Sequence, residues 1–132
     1  MDIVVSHEQG HVPVTVFYIR GEIDIRTSEQ LEAQAREAYE DGMRNLLLDL
    51  SGVPYISSAG LRALHHIFVL LRADSLGESE AATYRGLRDG TFKSPHLKLL
   101  NPRPDVLEAL RTAGYDMYLE IHRHLKDALA SF

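Results

Sequence analysis

Two adjacent serines, Ser57 and Ser58, stand where the chain passes from a short loop into a helical pattern, and their hydroxyls are the groups best placed for chemistry. A hydroxyl at a helix start has two roles open to it. As an N-cap it accepts a backbone N–H bond and contributes about 1 kcal/mol. As a phosphoacceptor it would carry the added group where unsatisfied amides and the helix dipole favour negative charge. Most serines at helix starts are caps only, so these residues by themselves leave capping as the simpler role. Ala59 beside them offers no hydroxyl, and Gly60, having no side chain, is expected to leave the helix entrance open on one side.

Other chemistry finds less support. The chain has 7 histidines, but His65 and His66 are adjacent on a helix and point in different directions, while His122 and His124 flank a strand end. No His-Glu-x-x-His pattern accompanies them, so solvated or capping histidines are expected and no metal site. Ser57-Ser58-Ala59-Gly60 does not match the Gly-x-Ser-x-Gly nucleophile elbow. Neither phosphate-cradling glycine motif is present, so no nucleotide cofactor is implied. Glu29, Glu32, Glu37 and Glu40 read as the solvated face of a helix, with an acidic contact surface as the rarer alternative.

The elements that must position the serines follow from periodicity. Ile3-Val4-Val5 suits a short first strand, with the turn over 8–11. The β-branched and aromatic run over 12–20 suits a second strand, with Pro13 near its start. Thr27 followed by Gln30 has capping-box spacing, and Leu31, Ala35, Ala38 and Tyr39 recur at helical intervals up to Gly42, which suits the C′ position. Asn45-Leu46-Leu47-Leu48-Asp49-Leu50 lacks alternation, as a parallel strand covered on both faces does. A helix then begins near Ser58 and carries Leu61, Leu64, Ile67, Phe68 and Leu71. Residues 72–96 form the least regular stretch and are expected to be a long mobile loop, with a short helix over 81–88. Beyond it come a strand over 97–100, a turn at Asn101-Pro102, a helix over 105–113, a strand over 118–121 and a helix over 124–129. This alternation is that of an α/β sheet, mostly parallel after an initial hairpin.

The totals set the frame. The chain of 132 residues is one domain by length, with 45% hydrophobic and 25% charged residues. No apolar run is long enough to span a bilayer and no secretory signal opens the chain, so no membrane contact and a cytoplasmic location are expected. Without cysteine there is no disulfide or thiolate site. A net charge of -5 argues against nucleic acid as a partner.

The segment Asp49-Leu50-Ser51-Gly52-Val53-Pro54-Tyr55-Ile56-Ser57-Ser58-Ala59-Gly60-Leu61 resembles the signature of the STAS family, named for sulfate transporters and anti-sigma-factor antagonists. That signature is a strand ending in Asp-Leu-Ser, a hydrophobic-aromatic pair, then Asp-Ser-Ser/Thr-Gly-Leu. Gly21-Glu22-Ile23-Asp24 with Thr27 resembles the family's Gly-Glu-Leu-Asp segment and helix start. Asn101-Pro102 with Val106, Leu110 and Gly114 resembles its loop and third helix. The resemblance covers residues 12–71 and 97–130. It implies a single STAS domain over 1–132, a mixed, mostly parallel sheet of about five strands with about four helices.

For function, the resemblance implies an anti-sigma factor antagonist and no enzyme. The unphosphorylated form binds a serine-kinase anti-sigma factor and frees a sigma factor; phosphorylation switches it off, and a PP2C-type phosphatase restores it. By position the phosphoacceptor is Ser58, with Ser57 as the alternative. Asp24, Thr27, Ser57, Ser58, Ala59, Gly60 and Leu61 form the partner-binding surface, on a monomer or weak dimer. Two departures stand out: Ser57 replaces a common Asp, and Ala59 replaces a common Ser or Thr. The 72–96 stretch is also longer than the family's usual link. Alternatives are a STAS interaction subunit of a stressosome or lipid-transport assembly, and a small serine hydrolase.

Overall fold

The leucine-rich run after the first helix becomes the middle strand of a five-stranded sheet in the computed structural model, which describes residues 1–72 and 93–132. In chain order the elements are β1 (Asp2–Gln9), β2 (Pro13–Arg20), α1 (Ser28–Glu40), β3 (Leu46–Gly52), α2 (Ser58–Arg72), β4 (Leu97–Leu100), α3 (Pro104–Thr112), a 3₁₀ turn (Tyr115–Met117), β5 (Glu120–His122) and α4 (Leu125–Ser131). The strands lie in sequence order, β1 antiparallel to β2 and each later strand parallel to the one before. This is the mixed, mostly parallel sheet that the alternation of elements implies. The short helix expected over 81–88, and most of the loop around it, lie outside the described residues.

Side-chain alternation along the strands divides the core in two. Phe17 and Ile19, Leu46, Leu48 and Leu50, and Leu97 and Leu99 meet Leu31 and Ala35 of α1, Leu64, Ile67, Phe68 and Leu71 of α2, and Val106 and Leu110 of α3. The alternate residues Val14, Val16, Leu47 and Leu100 form a smaller cluster under Ala128 of α4, with Leu125 and Leu129 against it. Strands β2 to β4 are therefore covered on both faces, which explains why their apolar runs do not alternate.

Three expectations need correction. Strand β1 is longer than Ile3-Val4-Val5: Glu8 and Gln9 pair with Val14 and Pro13, so the turn is confined to the three residues between. An edge strand keeps one side in water, and its polar residues did not need to end it. Thr27 precedes α1 but makes no side-chain cap; its hydroxyl is turned back into the preceding loop, and Gln30 instead reaches the Met1 carbonyl (3.2 Å). The expected capping box is absent because Thr27 has better partners upstream. The last strand runs over Glu120–His122, since Tyr118 and Leu119 continue the 3₁₀ turn through backbone bonds to the Tyr115 carbonyl. By contrast Gly42, just past α1, has φ +112, the left-handed conformation expected at C′.

Helix α4 is held by a charge beneath it. Lys98 on β4 is 2% exposed and donates to Glu120 Oε2 (2.8 Å) and to the Ser131 carbonyl (2.7 Å), with its ammonium over the Phe132 ring. Burial alone would raise the pKa of Glu120, but the hydrogen bond and charge of Lys98, joined by His122, outweigh it and hold the carboxyl below its ordinary value. A carboxylate so depressed adds stability above its unfolded pKa, and that stability is lost as pH falls through the folded pKa. Glu120→Gln should therefore cost about 1–2 kcal/mol near neutral pH, because Lys98 stays buried without its counter-charge. It should also flatten the acid limb of stability. Urea unfolding of both proteins across the carboxylate pH range checks this; parallel acid limbs would remove the pair from the account.

Candidate functional site

The serine pair sits at the carboxyl end of the parallel strands, where the loops after β2 and β3 meet. Sheet pairing does not stop at the strand ends: after a register shift between Tyr18 and Arg20, Gly21 donates to the Gly52 carbonyl (3.0 Å). Ile23 and Ile56 then form an isolated parallel bridge. The Ile23 N–H donates to the Tyr55 carbonyl (3.0 Å) and the Ser57 N–H to the Ile23 carbonyl (2.9 Å). Both isoleucines are buried, so the two loops are anchored from below as well as tied edge to edge.

Gly60 completes the joint. A Cβ at this position would fall on the Ile23 carbonyl oxygen and lie 2.7 Å from Ile56 Cγ1. The entrance of α2 is thus closed by the Ile23 loop on the side that the missing side chain was expected to leave open. Gly60 itself is buried and acts by allowing this approach.

The two serines differ sharply in environment. Ser57 is the N-cap: its carbonyl accepts from Leu61 N (2.9 Å) and its hydroxyl oxygen from Gly60 N (3.2 Å). Ser58 is the first residue of α2 and is exposed, and among the described residues its hydroxyl has no hydrogen-bond partner. Ala59 and Leu61 are half-buried, and the Leu61 carbonyl accepts from the Tyr115 hydroxyl (2.7 Å), which fixes the first turn of α2 against the 3₁₀ turn.

Asp24 follows Ile23 as Ser57 follows Ile56, so the bridge brings the Asp24 turn and the serines together. The turn is self-contained. Thr27 Oγ1 donates to the Glu22 carbonyl (2.8 Å) and accepts from Asp24 N (3.0 Å). Asp24 accepts from Arg26 N (2.9 Å) and pairs with its guanidinium (3.1 Å), which also faces Glu22 (3.6 Å). The side-chain bond from Arg26 is the main reason that Asp24 titrates below its ordinary value. The Thr27 hydroxyl is consumed inside the turn, so its part in the site is to shape the loop.

Sequence reasoning passed over Ile25 and Tyr55, which are 78% and 53% exposed on the two loops either side of the bridge. The sequence carried no signal for them, since a single apolar residue in a loop is ordinary until the fold shows where it faces. The histidines also hold more structure than expected: His66 pairs with Glu32 across α1 and α2, and His122 with Glu120. Glu32 is accordingly not simply part of a solvated face.

The family model of the STAS domain matches residues 3–76. The chain belongs to the STAS domain family. BtrV of Bordetella bronchiseptica, which carries the name of an anti-sigma factor antagonist, is 29% identical over 114 residues, spanning 86% of this chain and 82% of that protein. An anti-sigma factor antagonist from Mycobacterium paratuberculosis aligns in structure at a TM-score of 0.65 and 25% identity, covering 98% of this chain and 93% of that one. The Bacillus cell fate determinant SpoIIAA, solved in its phosphorylated form, aligns at a TM-score of 0.61 and 16% identity over 95% of this chain and 96% of that one, a likeness of fold. The family match spans β1 to β3, α2 and both loops that carry the serine pair; among the described residues, no helix is long and apolar enough to cross a membrane.

The joint of this STAS domain gives a test with an unambiguous sign. In a helix alone, Ala is favoured over Gly by about 1 kcal/mol. Overpacking costs about 1–3 kcal/mol, and here the obstacle is a backbone carbonyl that cannot rotate away. Gly60→Ala should lower the stability measured by chemical denaturation, and a stabilised variant would mean that the Ile23 loop yields freely.

Proposed function

We propose that this STAS protein is an anti-sigma factor antagonist whose binding is switched by phosphorylation of Ser58. The observation that carries this reading is the division of labour between the serines. Ser57 uses its hydroxyl to cap α2, while Ser58 presents a hydroxyl without a partner among the described residues, at the positive end of a helix. The names of the relatives support the antagonist role, and the phosphorylated form of one structural neighbour supports the idea that this fold accommodates the modification.

In this reading the partner is a serine-kinase anti-sigma factor. The Ser58 hydroxyl oxygen attacks the γ-phosphorus of ATP, ADP departs, and the hydroxyl proton passes to a base on the kinase; a PP2C-type phosphatase reverses the modification by hydrolysis. The unmodified surface carries apolar residues: Ile25 and Tyr55 are exposed on the loops that carry Asp24 and lead to Ser58, Leu61 is half-buried in the first turn of α2, and Gly60 and Thr27 shape the backbone below. Apolar anchors surrounding a small polar centre suit a tight contact. Roughly two negative charges added at that centre oppose it through desolvation and repulsion, with no change of fold required. The protein acts by binding, in the cytoplasm, without catalysis of its own.

Incubation with the cognate serine-kinase anti-sigma factor and ATP should add one phosphate, read by intact-protein mass. Ser58→Ala should accept none. Ser57→Ala should still accept one, at a stability cost of about 1 kcal/mol for the lost cap. A phosphate mapped to Ser57 would reverse the assignment, and an unmodified wild-type protein would remove the switch.

A further inference from the structure

The cation nearest in sequence to Ser58 on the same helix is Arg62, four residues on. Helical residues four apart are neighbours, with Cβ atoms about 5–6 Å apart. Side chains on a helix lean toward its N-terminus, so from position 62 an arginine can reach back over the turn that begins at Ser58. Arg62 is exposed, and among the described residues it enters no salt bridge and no side-chain hydrogen bond. Its charge is felt at the Tyr115 hydroxyl, whose own proton goes to the Leu61 carbonyl; a neutral phenol supplies no counter-charge. Of the other arginines near these loops, Arg26 is held by Asp24 at 3.1 Å and by Glu22 at 3.6 Å, and Arg103 is drawn to the end of β3, where its Nε donates to the Ser51 carbonyl (2.8 Å). One arginine beside the serine loop is thus neutralised while the one on the serine's own helix has no anion to meet.

We propose that Arg62 is the built-in counter-ion of a phosphate on Ser58, an inference that rests on the phosphorylation reading above. The planar guanidinium offers two parallel N–H donors to phosphate oxygens, which an ammonium does not. An acidic group placed four residues before a basic one is also the favoured order along a helix. The pairing draws the phosphate along α2 and fixes the direction in which the added charge faces a partner. Arg62 is a positioning residue for the modified state and has no part in the unmodified fold.

Phosphoserine can be installed at position 58 during translation, so the test needs no kinase. The second ionisation of that phosphate, followed by phosphorus NMR against pH, should lie ~0.15–0.4 pH unit lower in the Arg62 protein than in Arg62→Gln. The gap should narrow in high salt, and Arg62→Lys should retain part of it. Without phosphate, Arg62→Gln should melt at the wild-type temperature; should that variant fail to fold, Arg62→Ala takes its place in the titration. A gap below ~0.1 unit between Arg62 and the uncharged variant overturns the proposal. Failure of a kinase to modify Ser58 would overturn the phosphorylation reading and leave this titration unaffected, so the two can fail separately.

Discussion

The approach of Gly60 to the Ile23 carbonyl is the contact on which the site depends. It lets the first turn of α2 lie directly on the loop after β2, and the Ile23–Ile56 bridge then has a floor. Sequence, geometry and surface follow from one another here. A side chain at residue 60 would push α2 off the loop, the Ser57 N–H would lose the Ile23 carbonyl, and Ser58 would no longer have a defined direction. The stiffness is backbone stiffness, made of hydrogen bonds among main-chain groups of the two loops.

Such a frame explains how one surface can combine precision with change. Parallel strands end in a row of loops, and in open α/β sheets such an edge is where binding is commonly found. Here the paired loops extend the β2–β3 ladder past the strand ends, while Tyr115 braces α2 from the other side. Exposed on this frame are Ile25, Tyr55 and Ser58, whose side chains make no hydrogen bond among the described residues. Under the proposed switch, a phosphate on Ser58 would alter the surface offered to a partner and leave the sheet untouched. On the opposite face, the Lys98 clip under α4 ties the C-terminal helix to the sheet independently of the site.

Much of this was legible in the sequence, and the parts that were not have definable causes. The unbroken leucines of β3 announced a strand covered on both faces, and Gly42 marked the end of α1 because few other residues adopt its φ. Ser57 and Ser58 were visible as a pair at a helix start, but which of them caps depends on a single residue of register that periodicity does not resolve. Thr27 misled because capping-box spacing is local, whereas the choice of its hydroxyl between the helix and the Glu22 carbonyl is made by the shape of the loop. Gly60 was legible as a missing side chain and not as a close approach, since Ile23 lies far from it along the chain. Lys98 in a run of buried leucines gave no hint of Glu120 and Ser131, which reach it only once the sheet is assembled.

In the proposed switch, Ser58 changes charge on an unmoving backbone. Amide hydrogen exchange, compared between the unmodified protein and the protein carrying phosphoserine at position 58, tests this most directly. The amides of Ile23, Ser57, Gly60 and Leu61 carry the bonds that lock the two loops and open α2. Equal protection of these four amides in both forms is the predicted result. Loss of their protection on phosphorylation would mean that the switch works by opening the joint, and would contradict the account.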